Sequence, residues 1–188
     1  MIDDFFRQFN LFSEEEVDKL TRLFERKTIN KNELFLKEGE KCKEIAFIES
    51  GIFRTYYISE DGKDVTYCFR FPNDLLASYS SFISNEPSVE NIQAISDASV
   101  LIIRKKDLEE FGKDNLNWIK FLKIIAEQEY IGLEKRFFEL QRDNASQRYA
   151  TLTEKYPNYI QDIPLYHLAS YLGITQRHLS RIRNNVSF

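Results

Sequence analysis

Cysteine is nearly absent. Cys42 and Cys68 are the only two in 188 residues, and neither has another Cys or a His close by. Two isolated thiols assemble neither a zinc site nor an iron–sulfur cluster. A chain of this length buries roughly two-thirds of its unfolded surface and needs no disulfide to fold. The pair reads as half-buried thiols of a reducing cytoplasm. Histidine is equally scarce, with His167 and His178 both near the C-terminal end. A catalytic ring of histidines and carboxylates around a metal therefore has no histidine upstream to draw on. No apolar run approaches a bilayer span, and the N-terminus lacks a basic-then-apolar leader, which argues against membrane insertion and export. A phosphate-cradling glycine-rich loop and a nucleophile–base pair are also missing, so no reaction and no cofactor are assigned.

The length suits one large domain or a medium domain with a small appendage. Net charge is -4, but it is unevenly spread. From Gln141 onward six Lys/Arg face three Asp/Glu, leaving 20 against 27 before it. A basic tail on an acidic body suggests two parts, of which only the tail approaches phosphate.

Ser13-Glu14-Glu15-Glu16 is a capping box and predicts a helix to about Phe24, with Val17, Leu20, Leu23 and Phe24 on its apolar face. Short runs rich in Phe, Tyr, Ile, Val and Thr follow, at 33–37, 44–50, 52–58 and 63–71, and later at 91–95 and 99–103. Glu60-Asp61-Gly62 is a hairpin tip, and Gly39 and Gly51 mark further turns. Antiparallel strands with regular turns predict a jelly-roll-like double sheet. Lys105 to Phe111 reads as a short helix.

A long helix is predicted from Asn115 to about Leu140. Ile119, Leu122, Ala126, Leu133 and Leu140 follow a heptad, interrupted by Glu129 and Arg136 at seam positions. Phe121, Ile124, Ile131 and Phe138 form a second line. A helix apolar on two sides must be covered on two sides: one by its own β-domain, the other by its twin in a parallel dimer. The alternative is a helix fully buried within one chain. Gln141 to Asn144 breaks the pattern and marks a hinge. Another helix over 145–155 ends before Pro157, and Pro164 sits in the first turn of the next.

The last stretch, LYHLASYLGITQRHLSRIRN over 165–184, carries the sharpest signal. Leu168 and Leu172 share one helix face, and Gly173 supplies the left-handed cap that ends the helix. Thr175 caps a second helix, on which Leu179 and Ile182 face back toward the first. Two short helices crossing closely at Ala169 form a helix-turn-helix pattern, whose second helix suits the major groove. Gln176, Arg177, His178, Ser180, Arg181 and Arg183 give that helix hydrogen-bonding tips. Gln and Arg are suited to bidentate pairing with adenine and guanine edges. An ordinary helical hairpin would lack this clustered basic face.

The strand-rich first part, the long helix and LASYLGITQRHLSRIR together resemble the Crp/Fnr family of bacterial transcription regulators, over nearly the whole chain. The Glu38-Gly39-Glu40 turn and the Gly51 turn belong to the resemblance, which is nearest to the compact members common in Bacteroidetes. It implies an α+β chain: a cyclic-nucleotide-binding-like roll with flanking helices (1–112), a dimerisation helix (113–141) and a helix-turn-helix DNA-binding domain (142–188) without a complete wing. It also implies a homodimer through Ile119, Leu122, Ala126 and Leu133, double-stranded DNA with a near-palindromic operator as partner, and contact with RNA polymerase.

In cyclic-nucleotide binders of this family, a Gly-Glu pair holds the ribose and an Arg before a small hydroxyl and Ala pairs with the phosphate. Here the first pair falls on Ala77-Ser78 and the second group on Ser88-Val89-Glu90. No basic residue occurs between Arg70 and Arg104. A buried phosphate without a cationic partner is costly, and Glu90 adds repulsion, so the sequence argues against cAMP or cGMP in the usual mode. Arg54 or Arg70 from a neighbouring strand could compensate. An iron–sulfur oxygen sensor fails for lack of cysteines, and haem has only Cys68 as a ligand in the roll. An unknown small-molecule effector remains. The competing reading is a small-molecule sensor or protein-interaction module whose helix-turn-helix does not bind DNA; the basic tail favours DNA.

Overall fold

The computed structural model describes residues 1–185. Two short helices, α1 (Ile2–Arg7) and α2 (Glu14–Thr21), precede the strands. The Ser13–Glu16 capping box forms in both directions: Glu16 N–H donates to Ser13 Oγ at 3.2 Å, and Ser13 N–H to Glu16 Oε2 at 2.8 Å. Helix α2 stops at Thr21, three residues before the predicted end.

Strands β1 (Glu25–Ile29), β2 (Leu34–Leu36), β3 (Glu44–Ser50), β4 (Phe53–Ile58), β5 (Asp64–Arg70), β6 (Leu75–Leu76), β7 (Asn91–Ala94) and β8 (Ala98–Arg104) follow, with α3 (Tyr79–Ser84) between β6 and β7. They form two antiparallel four-stranded sheets, ordered β1-β8-β3-β6 and β2-β7-β4-β5. This is the double-sheet roll the turn pattern predicts.

Strand alternation decides what each sheet buries. In β3, Ala46 and Ile48 point between the sheets with Phe53, Leu76, Ile92 and Val100. Phe47 points the other way and joins Phe6, Leu20, Ile103, Trp118 and Phe121 under the helices. That outer cluster is rich in aromatics; the Phe121 ring centroid lies 5.5 Å from Phe6 and 5.2 Å from Trp118. Gly112 makes room for it, since a Cβ there would sit 2.3 Å from Trp118 Cδ1.

Helix α4 (Lys105–Gly112) leads into α5 (Leu116–Arg142), capped by Asn115 Oδ1, which accepts from Trp118 N–H at 3.0 Å. Only Trp118 and Phe121 of α5 are buried. The wholly buried alternative therefore fails for the single chain, and so does part of the two-stripe expectation. Phe121 packs on the roll, yet Ile131 and Phe138 of the same line are exposed. Glu129 and Arg136 are half-buried and do not belong to the exposed stripe. They face inward, Glu129 onto Arg70 at 2.7 Å and Arg136 over the Tyr171 ring at 3.8 Å.

Helices α6 (Ala145–Lys155), α7 (Leu165–Tyr171) and α8 (Gln176–Asn185) complete the chain. Pro164 is the N-cap of α7 rather than part of its first turn. The core of these helices is continuous with the roll: Ile52, Phe69, Phe71 and Ile95 join Leu152, Leu168, Leu172 and Leu179 in one cluster.

Candidate nucleic-acid interface and roll pocket

The turn between α7 and α8 is built from local hydrogen bonds. Gly173 takes φ +67°, its N–H donates to Ser170 O at 3.0 Å, and Ile174 N–H donates to Ala169 O at 3.0 Å. This double closure is the Schellman termination, which a left-handed glycine makes accessible. Thr175 Oγ1 then accepts from His178 N–H at 3.2 Å and starts α8. Leu168, Leu172, Leu179 and Ile182 are buried together, fixing the crossing of the two helices. Their burial turns Thr175, Gln176, Arg177, His178, Ser180, Arg181 and Arg183 outward, and all seven are exposed. Among the described residues no carboxylate lies within 4 Å of any of the three arginines, so their forks point into solvent with donors available.

Two half-buried guanidiniums hold the back of this unit. Arg136 of α5 donates to Tyr171 O, and Arg148 of α6 donates to Leu172 O at 2.8 Å, using the carbonyls left over at the end of α7. Strand β5 supplies the other support. Ser170 Oγ accepts from Thr66 N–H at 2.9 Å and lies 3.2 Å from Asp64 O. Phe69 packs on Tyr171, and Phe71 stacks on Tyr156 at 4.1 Å. His167 is 3 % exposed with Nδ1 unpartnered, and burial, helped by the Arg54 charge, holds its pKa down to about 4 against the pull of Asp64. None of these supports is readable from the helix-turn-helix motif itself.

The roll pocket has the opposite character. Ser78 and Ser88 are buried, with their hydroxyl oxygens 3.1 Å apart. Ser88 Oγ lies 2.8 Å from Glu90 O and accepts from Glu90 N–H at 3.2 Å. The Glu90 side chain, 8 % exposed, accepts from Tyr67 OH, whose proton is held far more tightly than usual by burial and by the adjacent carboxylate. Val89 is 74 % exposed and outside the pocket, and Ala77 lines a different cavity on the helix side of the roll. Neither candidate cation is available. Arg54, 4 % exposed, is bidentate with Asp64 at 2.5 and 2.7 Å, donates to Gln93 Oε1 at 2.9 Å and lies over Tyr56. Arg70 pairs with Glu129. Tyr67, which sequence reasoning missed, carried no signal beyond its place in an aromatic strand.

On α5, Ile119, Leu122, Ala126 and Leu133 are all exposed, and Tyr130, Phe137 and Leu140 extend the same apolar stripe. No helix of the described residues is long and apolar enough to cross a membrane, and no group of three metal-ligating side chains occurs among them.

A roll of two antiparallel sheets is thus followed by a long helix and a terminal helix-turn-helix. Residues 26–115 match the family of the cyclic nucleotide-binding domain. The chain is 26 % identical over 182 residues to the anaerobic regulatory protein of Haemophilus influenzae, covering 90 % of this chain and 70 % of that protein. It superposes on FixK2 from Bradyrhizobium japonicum with a TM-score of 0.78 at 20 % identity, covering 87 % of this chain and 84 % of that one. A transcriptional regulator assigned to the Crp/Fnr family from Eubacterium rectale gives 0.73 at 16 % identity, over 97 % and 87 % of the two chains. In fold and in sequence the chain is thus similar to regulators of the Crp/Fnr type.

Proposed function

We infer that the chain is a sequence-specific, DNA-binding transcription regulator that works as a homodimer in the cytoplasm, with RNA polymerase as a further partner. The observation that carries this reading is the exposed face of α8, unpaired among the described residues, where Gln176, Arg177 and Arg181 are presented by a helix whose other side is locked by Leu179 and Ile182. Arg177 and Arg181, four residues apart, share one face and reach base edges; Thr175, His178, Ser180 and Arg183 flank them and meet backbone or neighbouring bases. The exposed stripe of α5 supports a parallel dimer, which sets two recognition helices about one DNA turn apart, roughly 34 Å, on a near-palindromic site.

The same reading assigns no cyclic nucleotide to the roll. The hydroxyls at the ribose and phosphate positions bond to each other and to backbone, a carboxylate stands among them, and both nearby arginines are paired. The test is a salt-titrated mobility shift on promoter fragments. Sequence-dependent retardation by the dimer supports the assignment. Equal, weak retardation of all fragments would overturn it.

A further inference from the structure

A cavity of about 350 Å³ lies between the roll and the long helix, outside the sandwich that holds Ser78 and Ser88. That size falls near the lower end of small-molecule sites, roughly 300–1,000 Å³. Its floor is the outer face of a sheet, Ile45, Leu75 and Ile103, and its walls are Phe82 of α3 and Trp118 and Phe121 of α5. Few polar groups enter it. Arg70 and Glu129 are paired with each other at 2.7 Å, and Glu109 lies at the rim. Lys105 is different. Its ammonium donates to Phe82 O and sits 5.1 Å from the Phe82 ring, but no carboxylate oxygen among the described residues lies within 4 Å of it. A half-buried ammonium beside apolar surface is poorly compensated until an anion reaches it, and a charge-assisted bond there is stronger than a neutral one.

We propose that this cavity is a binding site for an apolar monocarboxylate, its carboxylate on Lys105 and its hydrocarbon body between Phe82 and the Trp118–Phe121 pair. Two cations and two carboxylates line the cavity; Arg70 and Glu129 neutralise each other directly, Glu109 stands more than 4 Å from the Lys105 ammonium, and Lys105 is thus the one lining cation open to a single negative charge. The apolar walls select a body without further polar groups. The site is separate from the DNA-reading surface and stands whether or not α8 binds DNA.

Trp118 is the only tryptophan of the chain and forms a wall of this cavity, so its fluorescence serves as the readout. The full-length protein is titrated with decanoate, decanol and decylammonium, each kept below aggregation. Decanoate should give a saturable shift with a Kd about tenfold below that of decanol, and decylammonium should bind more weakly than either. Lys105→Gln should weaken decanoate about tenfold and leave decanol within about twofold, while Ala77→Leu, which fills the cavity, should weaken all three. No saturable response to decanoate would overturn the proposal. Equal binding of the three ligands by the wild-type protein would do the same, and it needs no variant to fold.

Discussion

The recognition helix and the roll pocket both carry polar side chains at positions suited to a ligand, and they treat them in opposite ways. On α8 Leu179 and Ile182 are buried, and the arginines point outward with no carboxylate of the described residues within 4 Å. In the roll, Ser78, Ser88, Glu90 and Tyr67 turn toward one another. A donor already bonded inside the protein gains little by exchanging that bond for one to a ligand, whereas a solvated guanidinium pays only its hydration. Residue type therefore does not define a site; unsatisfied bonding capacity does.

The largest expected effect tests whether two copies of the open face must act together. Leu133, 66 % exposed on α5, replaced by Glu should give monomers by sedimentation and lower operator affinity by roughly 10²–10⁴, the gain usually supplied by linking two binding modules. A wild-type protein that sediments as a monomer at micromolar concentration would remove the dimer. Next come the open donors themselves. Arg177→Ala and Arg181→Ala should each cost about 1–3 kcal/mol in specific binding, concentrated at one base pair if the contact is to a base edge. A uniform loss with a shallower salt slope would reassign them to phosphate. Unchanged binding by the double variant would show that α8 is not the reading element.

His167 lies where the two regions meet. Its pKa near 4 in the folded chain is below the ordinary 6.5, so the unfolded chain takes up the proton first as pH falls. The neutral ring's contribution is complete above pH 6.5 and lost on the way to pH 4, a decline of up to about 3 kcal/mol. Chemical denaturation at several pH values should show it, and His167→Leu should flatten the profile across that window. A wild-type profile without the decline would mean the ring is solvated when folded. The smallest expected effect is none: millimolar cAMP or cGMP should leave the melting temperature unchanged, whereas a ligand at a hundredfold excess over Kd would stabilise by about 2.7 kcal/mol. Saturable micromolar binding by calorimetry would erase the contrast between the two regions.

What could be read in advance was local. Gly173 and Thr175 announce a helix end and a helix start because the bonds they make span only three to five residues. Six of the eight strands follow from β-prone composition between turn signals, and most of the length of α5 follows from its apolar periodicity. Strand β1, ERKTI, escaped because it is an edge strand with only Ile29 buried, so its exposed Glu, Arg and Lys mask the pattern. Helix α1 and its phenylalanines escaped because their partners, Phe47 and Phe121, are distant in sequence. The pairing of Arg54 with Asp64, Arg70 with Glu129 and Arg136 with Tyr171 is equally invisible, since a charged residue in a row of letters does not say which neighbour the fold will bring to it. Those pairs decide which cations are available for a ligand, and so the state of the pocket was harder to foresee than its chemistry.

The grip of Arg136 on Tyr171 makes α5 a lever arm. Trp118 anchors one end in the aromatic cluster, and Arg136 carries the reading unit about 27 Å away at 1.5 Å per residue. Pivoting the helix about Trp118 by only about 7° would carry the held carbonyl sideways by roughly 3 Å, close to the rise of one base pair. Such play is checked at three points: the close fit of Trp118 against Gly112 works as the bearing, the Glu129–Arg70 pair holds the middle of the arm, and Ser170 on β5 holds the far end. Paired spin labels near 118 and 181 would measure that play: a single narrow distance means a stiff arm, and a distribution broader than one base-pair rise means the bearing is loose.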